Sequence, residues 1–228
     1  MKISGLMKLT LLDYPGHVAC TVFLAGCNFR CPFCHNGSLV RGGDTEISRD
    51  ELKSFLKKRQ GILDGVCITG GEPLLSPDAR ELAEEIKSLG YLVKLDTNGS
   101  FPDRLAELID KKLIDYVAMD IKSSPAEYAK TCGRDIDLDS VKRSIEIIKS
   151  SGIDHEFRTT VVKGLHNKEI IAECAALVGE GEKYFLQSYR ESEDILAPDG
   201  LSALSNEELA EILNAAKLHN SRTELRGV

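Results

Sequence analysis

The chain has 228 residues, 42% hydrophobic and 29% charged, which allows one domain with a sizeable core and leaves little room for a second. Its formal charge of −7, from 29 basic and 36 acidic side chains, disfavours a general nucleic-acid or anionic-membrane surface. No stretch approaches the ~20 apolar residues of a membrane span; Met1-Lys2-Ile3-Ser4-Gly5 lacks a signal-peptide pattern, and seven cysteines without a pairing pattern indicate a reducing cytoplasm.

In chain order, Val18 to Ala25 is a nearly continuous apolar run, the pattern of a parallel strand covered on both faces. Cys27, Cys31 and Cys34 follow it in C-x3-C-x2-C spacing. Three thiolates are one short of a closed cubane or a structural zinc site. The loop therefore reads as an open iron–sulfur site with one metal position left for a small molecule. A zinc site completed by His35 or His17 is the alternative that spacing leaves open.

Ser48 with Glu51 forms a capping box, and Leu52, Phe55 and Leu56 give the following helix one apolar stripe. Lys57-Lys58-Arg59, the densest basic run, offsets the dipole at that helix's end. Val66 to Ile68 is the second strand, leading into Thr69-Gly70-Gly71-Glu72-Pro73 and a helix opening at Ser76-Pro77. Tyr91 to Leu95 is the third strand, ending in Asp96-Thr97-Asn98-Gly99; Tyr116 to Met119 is the fourth, ending in Asp120-Ile121-Lys122. Phe157 to Val162 is the fifth and Tyr184 to Leu186 the sixth, each followed by a helical pattern, the last starting at the capping box Ser205/Glu208.

Six strand–helix units with short connections predict parallel strands and right-handed crossovers. The expected architecture is α/β: an open partial (β/α)6 TIM-type barrel, with a doubly wound sheet as the alternative. The whole chain, 1–228, is expected to form a single domain, with the cysteine loop at 26–43 and the barrel units over about 18–220. Either architecture gathers the four post-strand segments on one rim. There Gly70 and Gly71 let the backbone come close to a ligand, because no Cβ intervenes. Asp96 and Asp120 offer acceptors for an ammonium or ribose hydroxyls, and Lys122 can pair with a carboxylate. A nucleoside joined to an amino acid uses all of these, and S-adenosylmethionine (SAM) is such a molecule.

With these motifs in view, Cys27-x3-Cys31-x2-Cys34, aromatic Phe33 and Gly70-Gly71-Glu72-Pro73 resemble the signature of the radical SAM superfamily. Leu12-Asp13-Tyr14-Pro15-Gly16, Cys31 to Asn36, Asp96 to Gly99 and Met119 to Lys122 are similar to motifs of the glycyl-radical-enzyme activases. That group includes the activating proteins of anaerobic ribonucleoside-triphosphate reductase and of pyruvate formate-lyase. The resemblance covers roughly residues 8 to 190.

It implies a [4Fe-4S] cluster held by Cys27, Cys31 and Cys34, and reductive cleavage of SAM to methionine and a 5′-deoxyadenosyl radical. It further implies that Gly70, Gly71 and Glu72 hold the methionyl amine, and that Asp96, Asp120 and Lys122 line the cofactor or a monovalent cation site. Phe33 and His35 would meet adenine, and Arg158 would reach the same pocket. The implied partners are a glycyl-radical enzyme as protein substrate and reduced flavodoxin or ferredoxin as electron donor. Some activases carry an inserted two-cluster segment after the first strand. Leu39 to Thr45 leaves no room for one, so a single cluster is expected. Two rivals remain: radical chemistry on a small molecule of deazapurine type or on a peptide, and a non-catalytic iron–sulfur or zinc protein.

The other polar residues read plainly. Cys20, Cys67 and Cys174 lie in apolar runs as small buried hydrophobes. Cys132 falls in a loop with nothing nearby to define its role, and His155, His166 and His219 show no partner spacing. Asp135, Asp137 and Asp139 imitate a calcium loop but lack its glycine, so they read as an N-cap with dipole partners.

Overall fold

The computed structural model describes residues 1–227, with eight strands in one sheet ordered β1 to β8 along the chain. They are β1 (Ile3–Thr10), β2 (Ala19–Leu24), β3 (Gly65–Gly70), β4 (Leu92–Thr97), β5 (Tyr116–Asp120), β6 (Asp154–Val161), β7 (Tyr184–Ser188) and β8 (Thr223–Arg226). β1 runs antiparallel to β2, and every later neighbour is parallel. No ladder among the described residues joins β1 to β8, so the barrel is open. The six expected units are β2 to β7. A flanking strand at each margin extends them.

The helices are α1 (Gly37–Val40), α2 (Arg49–Arg59), α3 (Ala79–Ser88), α4 (Pro102–Asp110), α5 (Tyr128–Cys132), α6 (Leu138–Ser151), α7 (Lys168–Val178) and α8 (Asn206–Lys217). Both capping boxes form, at Ser48/Glu51 and Ser205/Glu208, and Asp137 caps α6. Lys57, Lys58 and Arg59 occupy the last turn of α2, whose Leu52 and Leu56 are buried, each contributing about 2 kcal/mol by removal from water. The third helix starts later than its Ser-Pro signal suggests. A 3₁₀ turn over Pro73–Leu75 and a bond from the Asp78 N–H to the Ser76 hydroxyl occupy the residues before Ala79.

Strand alternation separates two faces. Cys20, Val22, Leu24, Val66, Ile68, Val93, Leu95, Val117, Met119, Phe157, Val161 and Leu186 belong to the apolar core shared with the helices. The intervening positions Thr69, Asp96, Asp120, Arg158, Thr160 and Gln187 line a cleft inside the barrel. The hydrophobic face thus builds the fold, and the other carries its polar chemistry.

Candidate active site

At the carboxyl ends of the strands lies a cleft of about 230 Å³. Cys27, Cys31 and Cys34 line it together with Phe33, His35, Gly70, Gly71, Asp96, Asp120, Lys122 and Arg158. Of the site residues expected from the sequence, Glu72 alone does not line it.

The cysteine loop leaves β2 through Gly26 and is held by backbone bonds. The Cys34 N–H donates to the Cys31 carbonyl at 3.1 Å, and the Phe29 N–H points at Cys27 Sγ at 3.4 Å. Burial pushes the Cys27 thiol up to about 11 and raises that of Cys34, while Lys122 pulls both downward. The three thiols do not converge on one point. Among the described residues, no trio of His, Cys, Asp or Glu side chains is gathered closely enough for a single ion. A cubane asks for one thiolate at each of three corners, and this donor set fits that demand.

The glycine turn lies directly beneath. The Gly71 N–H donates to Leu24 O at 2.8 Å and the Glu72 N–H to Gly26 O at 2.9 Å. A Cβ on Gly71 would strike the Gly26 carbonyl, and one on Gly70 would strike the Leu24 backbone. These glycines let two backbones touch, so that the turn abuts the cysteine loop.

Glu72 departs from expectation in its orientation. Its carboxylate is buried and accepts from the Leu74 N–H at 2.9 Å, the Thr97 hydroxyl at 2.9 Å and the Asn98 N–H at 2.7 Å. Burial raises its pKa to about 7 against the pull of these donors. The side chain braces the β3 turn against the end of β4 and does not face the cleft.

The second half of the rim is a chain of alternating charges. Lys94 contacts Asp96; Arg158 reaches Asp96 at 3.4 Å and Asp120 at 2.9 Å; Lys122 meets Asp120 at 3.0 Å. Parallel pairing of β5 and β6 sets Asp120 beside Arg158. Burial opposes ionisation of Asp120, but Arg158 and Lys122 overcome it and carry the carboxyl down to about 2. Asp96 likewise shifts downward under Arg158 and Lys94 despite its burial. The expected monovalent cation site therefore already holds cationic side chains from Lys94, Arg158 and Lys122.

Phe33 is buried and meets the His166 ring edge-on at a centroid distance of 6.2 Å. His35 bonds through Nε2 to the Arg190 carbonyl at 2.5 Å. Three contributors had no signal in the sequence. His166 Nδ1 accepts from the Val162 N–H at 3.0 Å, which leaves Nε2 to donate to Lys122 O at 2.9 Å. This fixes the backbone from which Lys122 projects. The segment after β7 straps the cysteine loop, with Leu196 N–H donating to Cys34 O, Ala197 N–H to Pro32 O, and Asp194 accepting from Ser38. The third is Cys132, expected in a loop. It is the last residue of α5 and fully buried, with its carbonyl accepting from the Arg30 N–H of the cysteine loop at 2.8 Å. The neighbouring Cys132 thiol holds that of Cys31 below the ordinary range despite burial.

Comparison with known proteins bears on this site. Residues 21–176 match the model described as the radical SAM superfamily. A relative in Methanocaldococcus jannaschii, named "Putative glycyl-radical enzyme activating enzyme", is 34% identical over 192 residues, covering 82% of this chain and 79% of its own. The 7-carboxy-7-deazaguanine synthase of Methanopyrus kandleri is 28% identical over 179 residues, covering 67% of this chain and 70% of its own. Among solved structures, SuiB of Streptococcus suis bound to precursor peptide SuiA superposes with a TM-score of 0.64 at 14% identity. That match covers 91% of this chain but 48% of SuiB, and carries the likeness of fold alone.

Proposed function

Because the chain belongs to the radical SAM superfamily, we propose that it is an activase that installs a glycyl radical on a partner enzyme. When bound, the family's [4Fe-4S] cluster and SAM supply one-electron reductive cleavage to methionine and a 5′-deoxyadenosyl radical, which takes a hydrogen atom from glycine Cα. In this reading Cys27, Cys31 and Cys34 each bind one iron. The Gly70–Gly71 backbone receives the methionyl amine, and Glu72 acts by holding that turn in place. Arg158 and Lys122 face the SAM carboxylate, with Asp96 and Asp120 keeping both cations oriented. Phe33 and His35 border the adenine. Reduced flavodoxin or ferredoxin supplies the electron.

The observation that carries the activase reading is the 34% identity to the M. jannaschii relative over most of both chains. A second reading, radical chemistry on a small molecule of deazapurine type, draws support from the M. kandleri synthase. Anaerobic reconstitution, reduction with dithionite and assay for 5′-deoxyadenosine test the shared chemistry, with Cys31→Ala expected to make none. A glycyl-radical enzyme from the same genome, added to the reduced mixture, should then show a glycine-centred EPR doublet. Turnover of SAM without the doublet, but with conversion of a deazapurine precursor, favours the second reading.

A further inference from the structure

Asn28 follows Cys27 directly and has no role in the chemistry assigned above. Its side chain joins those of Asn98 and Ser100 in a closed hydrogen-bonded ring. Asn98 Nδ2 donates to Asn28 Oδ1 at 3.0 Å, Asn28 Nδ2 donates to Ser100 Oγ at 2.9 Å, and the Ser100 hydroxyl donates to Asn98 Oδ1. One backbone group fixes the direction of the whole ring. The Ser100 N–H, which can only donate, meets Asn98 Oδ1 at 3.0 Å. Asn98 must then turn its amide nitrogen to Asn28, whose oxygen faces it. The Asn28 nitrogen is left for Ser100, and that hydroxyl sends its own proton back to Asn98.

The ring is one side of a larger circuit. The Asn98 N–H donates to the Glu72 carboxylate at 2.7 Å, and the Glu72 N–H donates to Gly26 O at 2.9 Å. Gly26 and Asn28 are the two chain neighbours of Cys27. Both are therefore tied, one directly and one through the end of β4, to the turn that carries Gly70 and Gly71. Asn98 lines the cleft, whereas Asn28 and Ser100 do not, so these two act through what they hold. A segment that must be ordered when its ligand arrives binds more weakly by the cost of that ordering, and a ring closed during folding removes the cost beforehand.

We propose that Asn28 and Ser100 are positioning residues: the ring they close with Asn98 presets the placement of Cys27 against the Gly70–Gly71 turn, and so preorganises the SAM site. The inference rests on the cofactor placement proposed above and holds whichever substrate the enzyme acts on.

The test compares wild type, Asn28→Ala, Ser100→Ala and the double variant. In the cluster-free chain, NMR-detected amide exchange at Phe29, Glu72 and Asn98 is expected to quicken in each variant, with cooperative melting retained. After anaerobic reconstitution, SAM binding by calorimetry should weaken about tenfold, roughly the worth of one hydrogen bond. KM for SAM in 5′-deoxyadenosine formation should rise with it, while kcat at saturating SAM stays near the wild-type value. Because one ring is broken in every case, the double variant should be no worse than either single one. Unchanged exchange and unchanged SAM affinity in Asn28→Ala overturn the proposal. So do additive losses in the double variant, because they make the two side chains independent. Should Asn28→Ala fail to melt cooperatively, Ser100→Ala, which leaves the cysteine loop's own sequence intact, decides the matter by the same readouts. 5′-Deoxyadenosine formation by wild type tests the superfamily chemistry separately, and the exchange measurement does not depend on it.

Discussion

On the β2–β3 side of the rim, backbone lies against backbone: Gly71 and Glu72 donate to Leu24 and Gly26, and no side chain intervenes. On the β4–β6 side, Lys94, Asp96, Arg158, Asp120 and Lys122 link the strand ends through side chains of alternating charge. Glu72 joins the two halves, rooted in one and bonded to Thr97 and Asn98 of the other. The difference teaches that a rim can be made rigid by close approach or by mutual charge. The first mode forbids added atoms, and the second forbids lost charges.

Four substitutions probe that contrast, beginning with the most damaging. Gly71→Ala places a methyl 2.6 Å from the Gly26 carbonyl carbon, a clash that only backbone movement relieves. It is expected to cost more than ~4 kcal/mol in urea unfolding, with loss of iron after reconstitution. Arg158→Met removes the cation shared by Asp96 and Asp120 but leaves Lys94 and Lys122 in place, and a loss of about 1.5–3 kcal/mol is expected, with weaker SAM binding in calorimetry. A cost for Arg158→Met near zero would end the claim that charge holds this half.

Asp120→Asn acts through pH. The folded carboxyl sits at about 2 and the ordinary one at 3.8. Its stabilisation is therefore present above the ordinary value and lost as pH falls toward 2. Relative to wild type, the variant's unfolding free energy should fall less between those values, by about 1–2 kcal/mol after its partial exposure is discounted. Thr97→Val is the mildest. It removes one donor to Glu72 and should cost about 1 kcal/mol by denaturant midpoint, without changing iron content.

What the sequence discloses depends on how local the cause is. The six inner strands, the two capping boxes and the three-cysteine loop depend on near neighbours, so apolar runs and spacing reveal them. The marginal strands β1 and β8 are less visible. β1 contains Gly5 and exposes Met7, Lys8 and Leu9, while β8 spans four residues, too few for alternation to register. The orientation of Glu72 is set by Thr97 and Asn98, and the place of Cys132 by Arg30. Each arises from contacts far apart in the chain, which no spacing rule records. Gly70 and Gly71 read as points where the backbone nears a ligand, whereas the partner that forbids a Cβ there is the backbone at Leu24 and Gly26, which emerges only from the fold.

The unjoined margins of the sheet have one more consequence. Because no ladder among the described residues links β1 to β8, moving those two strands apart breaks no hydrogen bond between them. A closed eight-strand ring has a girth fixed by its strand count and stagger. Here the mouth is spanned instead by the segment after β7, whose bonds to Pro32, Cys34 and Ser38 tie the far side of the sheet to the cysteine loop, so the width of the entrance and the placement of that loop are mechanically coupled.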